Sequence, residues 1–353
     1  VSKEEKIRNF DPNGIGLNNG NLFGLPFSED ESEVIIVPVP WDVTASYAKG
    51  SARGPKAILK ASPQLDLHDL LVSDAWKIGI HMTPISDDWI TINDDLGMRA
   101  NRYIEFLENG GKVAGHEVHD VALAEINEAC KVLEERVHDK TGELLGSGKL
   151  VGVLGGEHSV SLGLMKALAK HHNSFGILQL DAHADLRIKY EGFEHSHAST
   201  MHNALQLPAV SKLVQVGVRD LCEAEVKTIN KSNGRIVTYY DQHLKKQLFE
   251  GITWKTCCDA IVKQLPEKVY ISCDIDALDP KLCPNTGTPV PGGMEYEQAI
   301  YLLQQVVHSG KTIIGFDLCE VAPSPNSQQN DWDGNVGARL LYQLSILMYH
   351  SNQ

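Results

Sequence analysis

The sequence predicts an α/β protein with three layers, α/β/α, around a mainly parallel sheet. Two observations predict it. Apolar runs of strand length recur along the chain, and most are continuous rather than alternating, as expected of strands buried on both faces. Between them lie helical patterns with apolar stripes, and repeated strand, helix, strand builds a doubly wound fold.

The elements follow in order. Strand-like runs are EVIIVPV (33–39), KLVGVLG (149–155), FGILQLD (175–181), KLVQVGV (212–218), RIVTYY (235–240), KVYISCD (268–274) and KTIIGFD (311–317). Helical patterns cover Val160 to His172, with Leu162, Met165, Leu168 and Ala169 on one stripe. They also cover Tyr296 to Gly310, which ends in a glycine stop, and Asn335 to His350. The segment 87–148 is mostly polar and helical, and is expected to pack on the sheet rather than form a domain of its own. Residues 1–32 are rich in Asn and Gly and read as an N-terminal arm lying over the surface or over a neighbouring subunit. Residues 33–353 then form a single catalytic domain.

Composition sets limits. The net charge of −14 argues against a nucleic-acid partner, which requires clustered Lys and Arg. No uninterrupted apolar stretch reaches the ~18 residues of a membrane span. The opening VSKEEKIRNFDPNG is charged and has no apolar core, so no secretory signal is expected there. Seven cysteines without a CxxC pattern suit free thiols in a reducing cytoplasm.

Three strand ends carry unusual residues: GGEHS (155–159), LDAHADL (180–186) and SCDIDALDP (272–280). Alternate side chains of a strand share a face, so Asp181, His183 and Asp185 converge if the strand direction continues. Asp274 and Asp276 do the same from a neighbouring strand, and His158 comes from a third. Taken singly, each has a plain structural explanation: a loop or capping role for His158, a helix cap for Asp274 or Asp276, an ion pair with Arg187 for Asp185. Together they place four carboxylates and two imidazoles at one sheet edge. Burying that much negative charge without a partner is prohibitive. Two divalent cations neutralise four carboxylates; one leaves an excess. A carboxylate-rich, thiolate-free set suits Mn²⁺, with Ni²⁺ the main alternative, then Co²⁺ and Fe²⁺. Zn²⁺ usually takes fewer ligands, with more His or Cys.

GGEHS, DAHAD and SCDIDALDP in combination resemble the ureohydrolases: arginases, agmatinases and formiminoglutamases. The resemblance runs from about Val34 to the C-terminal helix. KGSARGPKAIL (49–59), TGTPVPGG (286–293) and GFDLCEVAP (315–323) extend it. It implies a first metal held by His158, Asp181, Asp185 and Asp274. His183 and Asp276 belong to a second, with Asp181 and Asp274 bridging. By the same resemblance His197 is the proton-shuttling histidine, Glu320 faces the guanidinium group and Thr288 lies beside it. Glu157 reads as a support rather than a ligand, and Asp279 as a brace of the metal loop. The implied reaction is attack of a metal-bridging hydroxide on a guanidinium carbon, with Asp276 passing a proton to the leaving nitrogen.

Substrate is less legible. The run from Arg187 to His197 departs from arginase and is similar to the DLRxxYEGxxxSHA run of agmatinase-type sequences, so a small cationic guanidino compound is expected. Arg187 stands where arginases read the substrate's α-groups. Trp41 in VPWDVT and Trp332 in QNDWDGN suggest an aromatic wall that cages a cation or shortens the pocket. FDPNGIG, FGLPF and VPWDVTASYAKG resemble members that hydrolyse free guanidine, the rival substrate. Thr44 is a candidate to supply a hydroxyl to the bound guanidinium, whose N–H groups donate, or is a turn residue. A formimino hydrolase and an inactive metal-binding partner subunit are the alternatives. Family likeness implies a trimer or hexamer of identical chains.

Overall fold

The computed structural model describes residues 1–112, 116–325 and 331–353. The elements run in chain order as α1 (Lys3–Asn9), β1 (Val34–Val39), α2 (Gly54–Ala61), β2 (Ile80–Met82), α3 (Asp87–Glu108), α4 (Glu117–Gly146) and β3 (Leu150–Gly155). Then come α5 (Leu162–His171), β4 (Phe175–Leu180), α6 (Thr200–Ala204), β5 (Val210–Val216), α7 (Glu223–Lys231), β6 (Ile236–Tyr239), α8 (Asp241–Phe249) and α9 (Trp254–Val262). The chain closes with β7 (Lys268–Asp274), α10 (Tyr296–His308), β8 (Thr312–Cys319) and α11 (Trp332–Ser351).

The strands form one sheet in the order β2-β1-β3-β8-β7-β4-β5-β6, and every neighbouring pair is parallel. Successive residues serve opposite faces. Val34 and Ile36 of β1 belong to one apolar layer, Ile35, Val37 and Val39 to the other. In β7, Val269, Ile271 and Cys273 join the first layer and Tyr270 the second. Residues of α2, α9, α10 and α11 fill the first layer, while residues of α3, α4 and α5 fill the second. Burial on both faces is why the strands read as unbroken apolar runs.

All seven expected strands are present, with ends shifted by up to two residues. The eighth, β2, is three residues long, too short to give a pattern. The polar segment after Asp87 forms two long helices, α3 and α4, which bury Tyr103, Ile126, Leu133 and Val137 against the sheet. The arm touches the rest of the chain: Lys3 Nζ donates to the Ile78 carbonyl at 2.8 Å, and the Phe10 and Trp76 rings are 5.1 Å apart. Within the arm, Lys6 Nζ is 2.6 Å from Glu31 Oε2. Leu22, Phe23, Leu25 and Phe27 are core residues.

After β3 the chain skips two positions to β4, and β8 and β7 later fill the gap. That places the carboxyl ends of β3, β8, β7 and β4 side by side, the position where doubly wound sheets bind ligands.

Candidate metal centre

Three of these four strand ends, those of β3, β4 and β7, supply the cluster, and the end of β8 supplies Glu320 beside it. From β3, the backbone turns sharply through Gly155 and Gly156 into His158. Glycine is required at 156, because a Cβ there would lie 2.0 Å from the Trp41 carbonyl oxygen. Glu157 N donates to that same carbonyl at 2.7 Å.

From β4 come Asp181, His183 and Asp185, but not by strand alternation. β4 stops at Leu180, and the backbone then turns, with Asp185 in the left-handed region at φ 54°. Asp185 is fixed there because Met201 N and His202 N both donate to its carbonyl at 3.0 Å. From β7, Asp274 is the last strand residue, and its Oδ1 caps a single helical turn by accepting from Asp276 N at 2.8 Å. Asp276 Oδ1 ties the two strand ends together by accepting from Ala182 N at 2.9 Å.

The side chains converge as two interlocked triads. The ligand atoms of His158, Asp181 and Asp185 lie within 4.8 Å of one another, as do those of Asp181, His183 and Asp276. Asp181 is common to both. Asp274 belongs to neither triad, although its Oδ2 lies 3.7 Å from His158 Nδ1. His158 Nδ1 is 2.9 Å from Asp185 Oδ2 and 3.1 Å from Asp181 Oδ2, and His183 Nδ1 is 3.0 Å from Asp276 Oδ2. Yet His158 Nδ1 and Asp276 Oδ2 are buried with no hydrogen-bond partner among the described residues. Orphaned donor atoms facing a common centre fit a cation better than they fit one another.

The electrostatics agree. Burial and then the charges of Asp276, Asp181 and Glu320 push the Asp274 carboxyl far above the usual carboxylate range. Burial and Asp181 push Asp185 up to about 7. So many mutually repelling carboxylates stay ionised only beside compensating positive charge. Carboxylates and imidazoles without a thiolate suit Mn²⁺, Ni²⁺ or a related divalent ion.

A layer of polar side chains under the cluster orients it, and the sequence reading missed it. His158 Nε2 is 2.7 Å from Ser272 Oγ, which donates to Asp317 Oδ2 at 2.8 Å; Tyr270 Oη donates to the same oxygen at 2.8 Å. On the other side Gln179 Nε2 donates to Asp181 Oδ2 at 2.8 Å. Gln215 Nε2 donates to Gln179 Oε1 at 2.6 Å, and Thr238 Oγ1 to Gln215 Oε1 at 2.8 Å. Gln215 Nε2 also donates to the Ala184 carbonyl, which fixes the direction of this relay. Arg219 Nη2 donates to the carbonyls of Asp276, Leu278 and Val290 and pins the loop after β7. The available signal was a polar residue, Gln179, Gln215, Ser272 or Asp317, inside an otherwise apolar strand.

Glu320 leaves β8 at φ 63°, held by its own N donating to the Gly156 carbonyl at 2.7 Å. Its Oε1 accepts from His158 N at 2.9 Å. Burial and the Glu157 charge push its carboxyl well up. Thr288 is half-buried in the loop that covers Glu320, but Thr286 makes the bond that fixes this loop, donating to the Glu320 carbonyl at 2.8 Å. Asp279 N donates to the Met294 carbonyl at 2.8 Å, and Asp279 Oδ1 accepts from Lys281 N, a turn brace.

His197 follows the loop after Asp185. Burial and the His183 charge push its ring down to about 4. The Arg187 guanidinium lies 4.7 Å over the Tyr190 ring, and that ring meets His197 edge-on at 6.3 Å. Arg187 therefore stacks on an aromatic ring rather than pairing with Asp185.

Two residues expected at the substrate are fully buried. Trp41 lies edge-on to Trp89 at 5.8 Å. Thr44 is buried too; its hydroxyl donates to Glu157 Oε1 at 2.7 Å and accepts from His197 N at 3.3 Å. Its one proton goes to Glu157, so toward any other group the hydroxyl can only accept. Trp332 is 51% exposed at the start of α11, with Nε1 donating to the Lys281 carbonyl at 3.0 Å. Residues 326–330 of the QNDWDGN stretch lie outside the described residues.

Residues 32–346 match the model of the arginase family. An N(1)-aminopropylagmatine ureohydrolase of Thermus thermophilus is 33% identical over 84% of this chain and 84% of its own length. A guanidinobutyrase of Pseudomonas aeruginosa is 31% identical over 92% of this chain and 88% of its own. The crystal structure of the agmatine ureohydrolase of Thermoplasma volcanium superposes with a TM-score of 0.69 at 20% identity, covering 98% of each chain, which speaks for the fold. All seven cysteines are free thiols, and no described helix is long and apolar enough to cross a membrane.

Proposed function

The chain belongs to the arginase family, whose ureohydrolases cleave C–N bonds of linear amidines, and on that premise we propose that it hydrolyses a small cationic guanidino compound of agmatine type to urea and an amine. The observation that carries the reading is the pair of triads sharing Asp181, with His158 Nδ1 and Asp276 Oδ2 unpartnered between them. His158, Asp181, Asp185 and Asp274 would hold one divalent ion, and His183 and Asp276 the second, with Asp181 and Asp274 common to both; Mn²⁺ ranks first and Ni²⁺ second. Such ions supply Lewis acidity toward water near neutral pH and balance the carboxylates.

The protein's own groups do the rest. Glu320, a buried carboxylate, binds the cationic guanidinium and presents its carbon to the cluster. The Asp276 carboxylate accepts a proton from the attacking water and passes it to the leaving nitrogen as the C–N bond breaks. His197, neutral at pH 7, exchanges protons with solvent. Thr44 and Glu157 hold His197 in place. A single catalytic domain over 33–353, a cytoplasmic setting and a homo-oligomer, trimer or hexamer, complete the reading.

Urea release from agmatine, 4-guanidinobutyrate, arginine and guanidine by protein loaded with Mn²⁺ or Ni²⁺ tests it. Agmatine is expected to be the best of these. Guanidine is the rival substrate, supported by the likeness of FDPNGIG, FGLPF and VPWDVTASYAKG to members that hydrolyse it. No urea from any of the four would sink the proposal.

A further inference from the structure

The long helices α3 and α4 have no part in the chemistry above, yet they hold the loop that leads from Asp185 to His197. That loop turns tightly at residues 190–193. Phe193 N donates to the Tyr190 carbonyl at 2.8 Å and Tyr190 N returns a bond at 3.2 Å. Both central residues are left-handed, Glu191 at φ 54° and Gly192 at φ 86°. Glycine accepts that backbone freely; glutamate does so only when its surroundings impose it.

The surroundings are α3 and α4. Tyr103 Oη, on α3, donates to the Glu191 carbonyl at 2.7 Å, and the Tyr103 ring packs 5.5 Å from that of Phe193. Asn127, on α4, clamps the residues either side of Phe193 with both ends of its amide: Nδ2 donates to the Gly192 carbonyl at 3.2 Å, and Oδ1 accepts from Glu194 N at 2.9 Å. Two turns further along α4, Glu134 Oε2 lies 2.8 Å from His195 Nδ1. Asn127 and Glu134 are seven residues apart, so they share one helix face. Polar side chains from two helices thus meet loop residues 191, 192, 194 and 195, with Phe193 packed between, just before His197.

We infer that α3 and α4 brace the substrate loop, with Tyr103 and Asn127 as positioning residues that fix where the loop and His197 stand against the bound substrate. The brace itself stands on these contacts; its effect on catalysis rests on the proposed amidinohydrolase activity.

The test uses Asn127→Ala and Tyr103→Phe in the full chain. Tyr103→Phe keeps the ring packing and removes one hydroxyl. Hydrogen exchange of residues 187–197 should accelerate about tenfold in each, and trypsin should cut faster after the exposed Lys189, with sheet protection and bound metal unchanged. With substrate, KM should rise more than kcat falls, and Asn127→Asp, which keeps the acceptor for Glu194 N, should recover part of the loss. Unchanged loop exchange in both variants, or faster exchange spread over the whole sheet, would overturn the brace. Exchange readings need no turnover, so they remain decisive even if wild-type protein releases no urea.

Discussion

Gln179 Nε2 donates a 2.8 Å hydrogen bond to Asp181 Oδ2, the carboxylate shared by both triads. Gln215 and Thr238 feed this bond from β5 and β6, so strands outside the site determine how its central carboxylate is turned. Outer hydrogen bonds of this kind typically change metal affinity by about 10–100-fold. Gln179→Met, close in volume but with no donor, should weaken Mn²⁺ binding within that range in a calorimetric titration. Thr238→Val should weaken it less. Unchanged affinity in both would mean that the relay only fills space.

Glu320→Gln separates function from stability. The amide keeps an acceptor for His158 N but loses the charge that binds a guanidinium. Activity should fall at least about a hundredfold, the scale of lost electrostatic stabilisation. Because burial and Glu157 push the Glu320 carboxyl up, removing the charge should raise unfolding stability by about 1 kcal/mol in metal-free protein. Denaturant melts and urea assays on one preparation check both.

Trp41 belongs to the core. Trp41→Ala should cost about 3–5 kcal/mol of stability. Trp41→Phe should be milder and leave KM unchanged in the surviving folded protein. A specific rise in KM with full stability would place Trp41 in an aromatic wall at the substrate.

The arm should respond to acid. The Lys6 ammonium beside Glu31 holds its carboxyl down at about 2, against about 4.5 unperturbed. A depressed carboxylate contributes stability that is present above the unfolded value and lost as pH falls through the folded one. The pair is partly exposed, so its contribution is about 0.5–1 kcal/mol. Exchange of residues 3–10 should accelerate as pH falls from about 4.5 toward 2, beyond the intrinsic pH effect, and Glu31→Gln should remove that excess.

The sheet was legible because burial on both faces writes itself as continuous apolar runs; only β2, with three residues, left no trace. The metal cluster was legible as residue types and spacing, but not in its geometry. Asp181, His183 and Asp185 meet through a turn with a left-handed Asp185, where strand alternation had been expected to align them. The surroundings of Trp41 and Thr44 were illegible for a different reason. Their environment comes from far along the chain: Thr44 meets Glu157 across 113 residues. No local pattern reports such a contact. Gln179, Gln215 and Asp317 were visible as polar residues in apolar strands, but their partners lie on neighbouring strands, which a single sequence does not order.

The central claim is a two-ion centre with Asp181 common to both ions. Metal content per folded chain, measured on purified wild type and Asp181→Ala after loading with Mn²⁺, tests it most directly. Two ions are expected in the wild type and none retained in the variant, with the fold preserved by circular dichroism. A folded Asp181→Ala protein that keeps one tightly bound ion, or a wild type that never takes more than one, would contradict it.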